Sequence, residues 1–455
     1  MDILAKRARV AHDHDPESSA GKRAEHIMSG GEVMEKHLRP WCWFMRVGGQ
    51  RGWPGERKKN KWRMVALTVN LAAACCIFYS ASAVCTVFGL PRLFAVSLTL
   101  VFVNAHAKAL CLLLQMYPLG NARPPADDAF DNLKPKAVRL VQFAIYGGAA
   151  FITIFGGGFL MVSLAIVVTN HPESADGQHL KLVFYLVAIS GAAPFWLGAT
   201  ATYYGICAAM ALRFLDLRDE VREAVELVAP ARMVSVKAIR AFQFGGNEAQ
   251  AVPTATGDGN ETSTTQAAVR SVADSFLTNT LARNELAKRL SIIREEYALL
   301  TDTLRGISRT MTGYVTAAEF FLVVALLPLG WMVMNGEFTA KGYDGQVPVS
   351  YRHMKSLYVL GILGCAFIPS IALSGALVTW AAESVPATIS RLAKARSEEL
   401  ADLQQWMLDT EACFKVFDVR ISFGTALQIF YIAVTTITGA IIYYSESAAA
   451  SETSR

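Results

Sequence analysis

Seven long apolar stretches constrain this chain more than any other feature: Val65 to Phe88, Leu93 to Met116, Val138 to Val168, Leu182 to Leu212, Val315 to Met334, Ser356 to Ala381 and Ile421 to Tyr444. About 20 consecutive apolar residues cross a ~30 Å hydrocarbon layer as a helix, and a segment in lipid must satisfy its own backbone groups. The sequence therefore predicts an all-α membrane protein with seven transmembrane helices. Composition agrees, since 53% of the 455 residues are hydrophobic and 18% are charged. Mean hydropathy is +0.31, the wrong sign for an ordinary soluble enzyme. The eight cysteines (Cys42, Cys75, Cys76, Cys85, Cys111, Cys207, Cys365, Cys413) lack framework spacing and mostly sit inside the apolar runs. They read as small core hydrophobes rather than disulfide partners.

Orientation follows from Lys and Arg, which resist translocation and mark the cytoplasmic connections. Arg57, Lys58, Lys59, Lys61 and Arg63 precede the first stretch, Arg123, Lys134 and Lys136 follow the second, and Arg391, Lys394, Arg396, Lys415 and Arg420 follow the sixth. Those connections share one side. Opposite them, Gly89 to Arg92 holds one Arg, Thr169 to Lys181 sets Lys181 against Glu173 and Asp176, Asn335 to Lys355 carries Lys341, Arg352 and Lys355, and the tail carries Arg455. A cytoplasmic amino terminus and an outer carboxyl terminus are expected. A seven-helix G-protein-coupled-type receptor would be drawn the other way up, and a retinal protein would need a lysine that Ile421 to Tyr444 lacks.

These boundaries divide the chain into a polar, basic cytoplasmic segment (1–64), helices one to four (65–212), a cytoplasmic block (213–314), helices five and six (315–381), a cytoplasmic anchor helix (382–420), the last helix (421–444) and an outer tail (445–455). The first segment lacks the continuous apolar core of a secretory signal, so no cleavage is expected. Its run WCWFMRVGGQRGWPGERKKNKWR suits an anionic inner leaflet, with Trp at the interface. Within 213–314, FLDLRDEVREAVELV continues helix four, and residues 245–267 have the Gly, Thr, Pro and Ala composition of a flexible linker. Then Leu286, Leu290, Ile293, Tyr297, Leu300, Leu304, Ile307 and Met311 alternate steps of four and three, which keeps one seam facing a partner helix. Ile389, Leu392, Leu400, Leu403, Met407 and Phe414 offer the matching apolar surface, either within the chain or between copies.

The last helix carries a polar stripe: Thr425, Gln428, Tyr431, Thr435 and Thr438 recur at steps of three and four. Polar groups in lipid face water or another helix, and Thr can also bond back to its own helix, so pore lining, interhelical packing and back-bonding all stand as readings. Ionisable groups inside spans are functional candidates by default. His106, Lys108 and Glu319 are the ones here, and Lys108 with Glu319 could couple a secondary transporter, although Lys108 can equally snorkel. No repeated halves support that rival. Gly191, Gly198 and Gly205, and Gly156 to Gly158, suit close helix approach.

The residues from Arg391 to Tyr444 carry a resemblance. In CFKVFDVRISFGTALQIFYIAVTTITGAIIYY a Phe-rich junction and a polar turn lead into a polar final helix. With seven helices, a cytoplasmic amino terminus and long extensions of helices four to six, this resembles the insect gustatory and odorant receptor superfamily. Thr436 matches the motif threonine, Ile437 stands where Tyr is usual, and Tyr443-Tyr444 stands for Gln-Phe. The resemblance implies a chemoreceptor-like, ligand-gated, non-selective cation channel in the plasma membrane. It would be a homotetramer, or an assembly with a related subunit, in which the last helix lines the pore. It also implies a small organic ligand in the outer half of helices two to six, where threading places Phe184, Tyr185, Phe195, Trp196, Trp331, Met332 and Tyr358. Glu446 could add an outer acidic ring or simply be solvated.

Enzyme motifs are missing: there is no GxSxG, P-loop, HExxH or CxxC. His12, Asp13, His14 and Asp15 could hold a metal loosely, but a polar arm more simply solvates them. No cofactor and no nucleic-acid partner are expected.

Overall fold

The computed structural model describes residues 29–47, 51, 63–65, 67–69, 72, 92–117, 125–170, 194–225, 261–334, 339–342, 345–348, 351–392 and 398–453, with side chains placed for part of them. In chain order, α1 (Gly30–Glu32) runs into a π turn (Val33–His37), followed by α2 (Arg39–Val47), α3 (Arg92–Met116), α4 (Pro125–Ala129) and α5 (Pro135–Asn170). Then come α6 (Pro194–Val225), α7 (Glu261–Met334), β1 (Thr339–Gly342), β2 (Gly345–Pro348), α8 (Tyr351–Leu392), α9 (Glu398–Thr410), β3 (Lys415–Val416), β4 (Val419–Arg420) and α10 (Phe423–Thr453). The regular structure of the described residues is helical apart from two antiparallel hairpins, β1–β2 and β3–β4, which the sequence patterns did not mark. Most of the expected first span, the start of the fourth and residues 245–260 of the expected linker lie outside the described residues. Among the described residues, α6 is the helix long and apolar enough to cross a membrane, and 72% of its apolar window is buried inside the protein.

The 4-3 seam is filled from within the chain. Leu286, Leu290, Ile293, Tyr297, Leu300, Leu304, Ile307 and Met311 are all buried, as are Ile389, Leu400, Leu403, Met407 and Phe414. Edge-on ring contacts lock the layers, with Tyr297 6.0 Å from Phe214 and 5.9 Å from Trp406. Arg294 covers the Trp406 ring at 4.6 Å, where the guanidinium meets the negative face of the indole. Because α7 is one helix of 74 residues, roughly 110 Å at 1.5 Å per residue, the seam and the apolar stretch after it lie on a single continuous helix. That helix begins at Glu261, so the last seven residues of the expected linker are helical. Adding residues to a nucleated helix costs far less than starting one.

The described part of the amino-terminal segment, residues 29–47, 51 and 63, folds onto this body instead of lying wholly against lipid. Trp41, Cys42 and Met45 of α2 enter the core, while Trp43 stays 60% exposed. Arg51 pairs with Asp127 at 3.1 Å and lies 3.7 Å from Glu35, which also pairs with Arg46. The Arg63 guanidinium donates to the Tyr117 carbonyl. Three of the basic residues assigned to a lipid surface thus have internal partners, because buried cations require them.

Candidate functional site

Close helix approach builds the centre of the bundle. A Cβ at Gly205 would stand 2.6 Å from Ile145 Cγ1, and one at Gly148 would stand 2.6 Å from Tyr204 Cδ2, so α5 and α6 touch only because both positions are glycine. Where they meet, α6 presents hydroxyls to its neighbours. Tyr203 donates to the Ile371 carbonyl at 2.7 Å, Tyr204 pairs with Ser370 Oγ at 2.6 Å, and Thr200 pairs with Tyr314 of α7. Pro369 precedes this turn of α8 and cannot donate a backbone hydrogen bond. Polar tips in an apolar interior are satisfied across helices, which holds α6, α7 and α8 in one register.

Two of the expected ligand residues have described side chains. Phe195 is buried with its ring edge-on to His106 at 6.3 Å, and Trp196 lies 5.2 Å from Phe321 and 6.5 Å from Tyr314. They stand on the turns of α6 beyond the hydroxyl cluster. Phe184 and Tyr185 lie outside the described residues, and Trp331, Met332, Tyr358 and Glu446 fall on helices whose side chains there are also outside them. The site this geometry adds is a cavity of about 310 Å³ between α5, α6 and α8, lined by Phe143, Gly147, Tyr204, Cys207, Ser370, Ser374 and Leu377 among others. Its sequence trace was Gly147-Gly148 and Tyr203-Tyr204 at matching depths in two apolar stretches.

The stripe on α10 is exposed at Gln428, Tyr431, Thr435 and Thr438 and half-buried at Thr425. Opposite it, Ala426 and Ala433 are buried where α10 packs on α7 and α8. At about 100° per residue, Leu427 and Val434 border the stripe on one side and Ile432 on the other. These flanks are bare too, at 62%, 39% and 60% exposure, and Tyr431 between them is 69% exposed. Thr435 donates to the Tyr431 carbonyl at 2.9 Å and Thr438 to the Val434 carbonyl at 2.8 Å. Back-bonding uses the hydroxyl protons and leaves oxygen lone pairs facing outward.

The start of α10 is tied to α7 and α8. Phe414 N–H donates to Thr379 Oγ1 at 3.0 Å, Lys415 N–H donates to Ser308 Oγ at 2.8 Å, and Arg420 pairs with Glu383. Burial raises the Glu383 carboxyl pKa against the lowering pull of Arg420. Between the ties, Phe417 and Asp418 take φ of 49° and 61°, both positive as a type I′ hairpin turn demands and unfavourable for side chains with a Cβ. Ser422 Oγ then accepts from the Thr425 N–H at 3.1 Å and caps the helix.

Of the rival pair, Lys108 is exposed and its stem lies along Gly313, 3.4 Å from where a Cβ would stand. Both carboxylate oxygens of Glu319 are buried, beside the Ala372 backbone amide. Among the described residues no ion pair joins the two.

By sequence, no protein-family model and no curated protein matches the chain. Among solved structures, the insect olfactory receptor OR5 from Machilis hrabei in complex with eugenol aligns over 90% of this chain and 100% of its own, with 11% identity and a TM-score of 0.54. A second structure of that receptor covers 90% of this chain and 98% of its own, with 12% identity and a TM-score of 0.51. The chain shares the fold of the insect olfactory receptors, in agreement with the resemblance carried by Arg391 to Tyr444.

Proposed function

We propose that the chain is a member of the insect odorant and gustatory receptor superfamily that works as a ligand-gated, non-selective cation channel. Seven helices span the plasma membrane, four copies assemble, and α10 of each lines the pore. The observation that carries this reading is the α10 face: a polar stripe bordered on both sides by bare apolar residues, with small buried alanines behind. A helix facing only lipid has no use for Gln428 and Tyr431, which need water or a polar partner. Neighbouring copies would cover Leu427, Val434 and Ile432 while water meets the stripe. Outward hydroxyl oxygens without a formal charge favour cations weakly. A small-molecule ligand in the outer half, near Phe195 and Trp196, is supported by the OR5 structure solved with eugenol.

Replacing Gln428 or Thr435 with Leu should lower ligand-evoked conductance in planar bilayers while leaving membrane insertion intact. Unchanged currents would reassign the stripe to packing, and a monomeric mass in lipid would remove the assembly. The rival transporter keeps one supporting observation, the buried Glu319 carboxylate. Uptake that follows a proton gradient and vanishes in Glu319→Gln would decide for it.

A further inference from the structure

We propose that the cavity between α5, α6 and α8 binds the acyl chain of a membrane lipid, as a site separate from the outer-half ligand pocket and from the α10 stripe. The inference rests on the membrane-spanning part of the reading above and is independent of conduction. At about 310 Å³ the cavity is at the small end of ligand pockets.

Three helices agree on its depth. Counting from the expected inner span ends, Gly147 lies nine residues from Val138, Tyr204 eight from Leu212 and Ser374 seven from Ala381. At 1.5 Å per residue all three stand about 10–14 Å inside a hydrocarbon layer of ~30 Å, below the headgroups and short of the midplane. The mouth opens on apolar surface, with Phe143 78% exposed and Leu140 and Ile154 of the same helix 56% and 63% exposed. A ligand therefore arrives through the bilayer.

The polar edge of the cavity bonds within the protein. Tyr204 and Ser370 pair at 2.6 Å, and Ser374 donates to the Ser370 carbonyl at 2.8 Å. The occupant needs no polar group to satisfy these atoms, and a hydrocarbon chain meets that requirement. Glycine keeps the space open, since a Cβ at Gly147 would meet nothing within 4 Å, whereas one at Gly148 would strike the Tyr204 ring.

The test places the full chain in phosphatidylcholine vesicles whose acyl chains carry a mid-chain diazirine, with adducts mapped after irradiation. Adducts should concentrate on Phe143, Tyr204 and Ser374. Gly147→Leu, whose side chain grows into the cavity, should lose most of them while adducts at Leu140 and Ile154 persist. Gly147→Ala, which favours the helix, should give an intermediate loss and controls for folding. Adducts spread evenly over every apolar face, or cavity adducts unchanged in Gly147→Leu, would overturn the proposal. No adducts anywhere on α5, α6 or α8 would instead remove the membrane-spanning reading on which it stands.

Discussion

Gly205→Ala sets two effects of opposite sign against each other, and the geometry decides between them. Alanine is the better helix former by about 1 kcal/mol, which by itself would stabilise α6. The added methyl, however, would stand 2.6 Å from Ile145 Cγ1 and 2.8 Å from its Cδ1, where carbon atoms prefer about 3.5–4.0 Å. Ile145 cannot swing aside easily, because a β-branched side chain on a helix has one favoured χ1 and this residue is buried at 1% exposure. Relief must come from α5 and α6 separating by about 1 Å, a gap that forfeits a quarter to a half of each contact along the seam. Overpacking of this kind costs about 1–3 kcal/mol, so after the helix-forming gain of about 1 kcal/mol the net effect is a loss of roughly 0–2 kcal/mol. Ile145→Ala alone leaves a cavity worth about 2–5 kcal/mol. In the Gly205→Ala background the new methyl occupies part of that space, so the double variant should be more stable than the sum of the singles by about 1 kcal/mol or more. Thermal denaturation of the four proteins in one detergent, followed by loss of the monodisperse chromatographic peak, measures the cycle. A Gly205→Ala protein more stable than the parent, or strictly additive effects, would refute the claim that this glycine exists for helix contact.

Thr379→Val removes the acceptor of the buried Phe414 N–H and should destabilise by about 1–3 kcal/mol; Thr379→Ser keeps the acceptor, so equal ligand dose–response curves for the two variants would contradict the role given to this tie. Arg51→Met strands Asp127, which is 7% exposed, and should cost about 3–5 kcal/mol, most of it recovered in the Arg51→Met/Asp127→Leu double variant; a double variant no better than the single would mean the pair is not the unit. Burial pushes the Cys42 thiol from 9.0 up to about 11, with Arg51 pulling the other way, so at pH 8 it holds about a hundredfold less thiolate than an exposed thiol and should resist iodoacetamide until the protein unfolds. Its folded value lies above its unfolded one, so any stability from the neutral thiol is present below pH 9 and declines as pH rises toward 11; fast alkylation at neutral pH would show that α2 is not docked.

What the sequence disclosed and what it hid divide along one physical line. The Leu286 to Met311 seam was readable because burial repeats with the helical period, and the α10 stripe because its polar residues break an apolar background at that same period. The Arg51–Asp127 pair was not, since two charges 76 positions apart each read as solvated until the fold brings them together. Nor were the Tyr203 and Tyr204 bonds, whose acceptors on α8 include a backbone carbonyl that no residue type encodes. The β3–β4 turn was hidden for a different reason. Its central residues are Phe417 and Asp418 rather than the Asn and Gly that normally announce positive φ, and each such position costs of order 1–3 kcal/mol. The chain keeps that strain where the helices α7 to α9 hand over to α10, held by Ser308, Thr379 and Glu383 from two separate helices. Without the tied turn, α10 would be coupled to α7 and α8 only along its own packed face at Ala426 and Ala433. A strained turn gripped from both sides lets any shift of α7 or α8 be felt at the stripe, which is the mechanical requirement for a ligand bound elsewhere in the bundle to change what the last helix exposes.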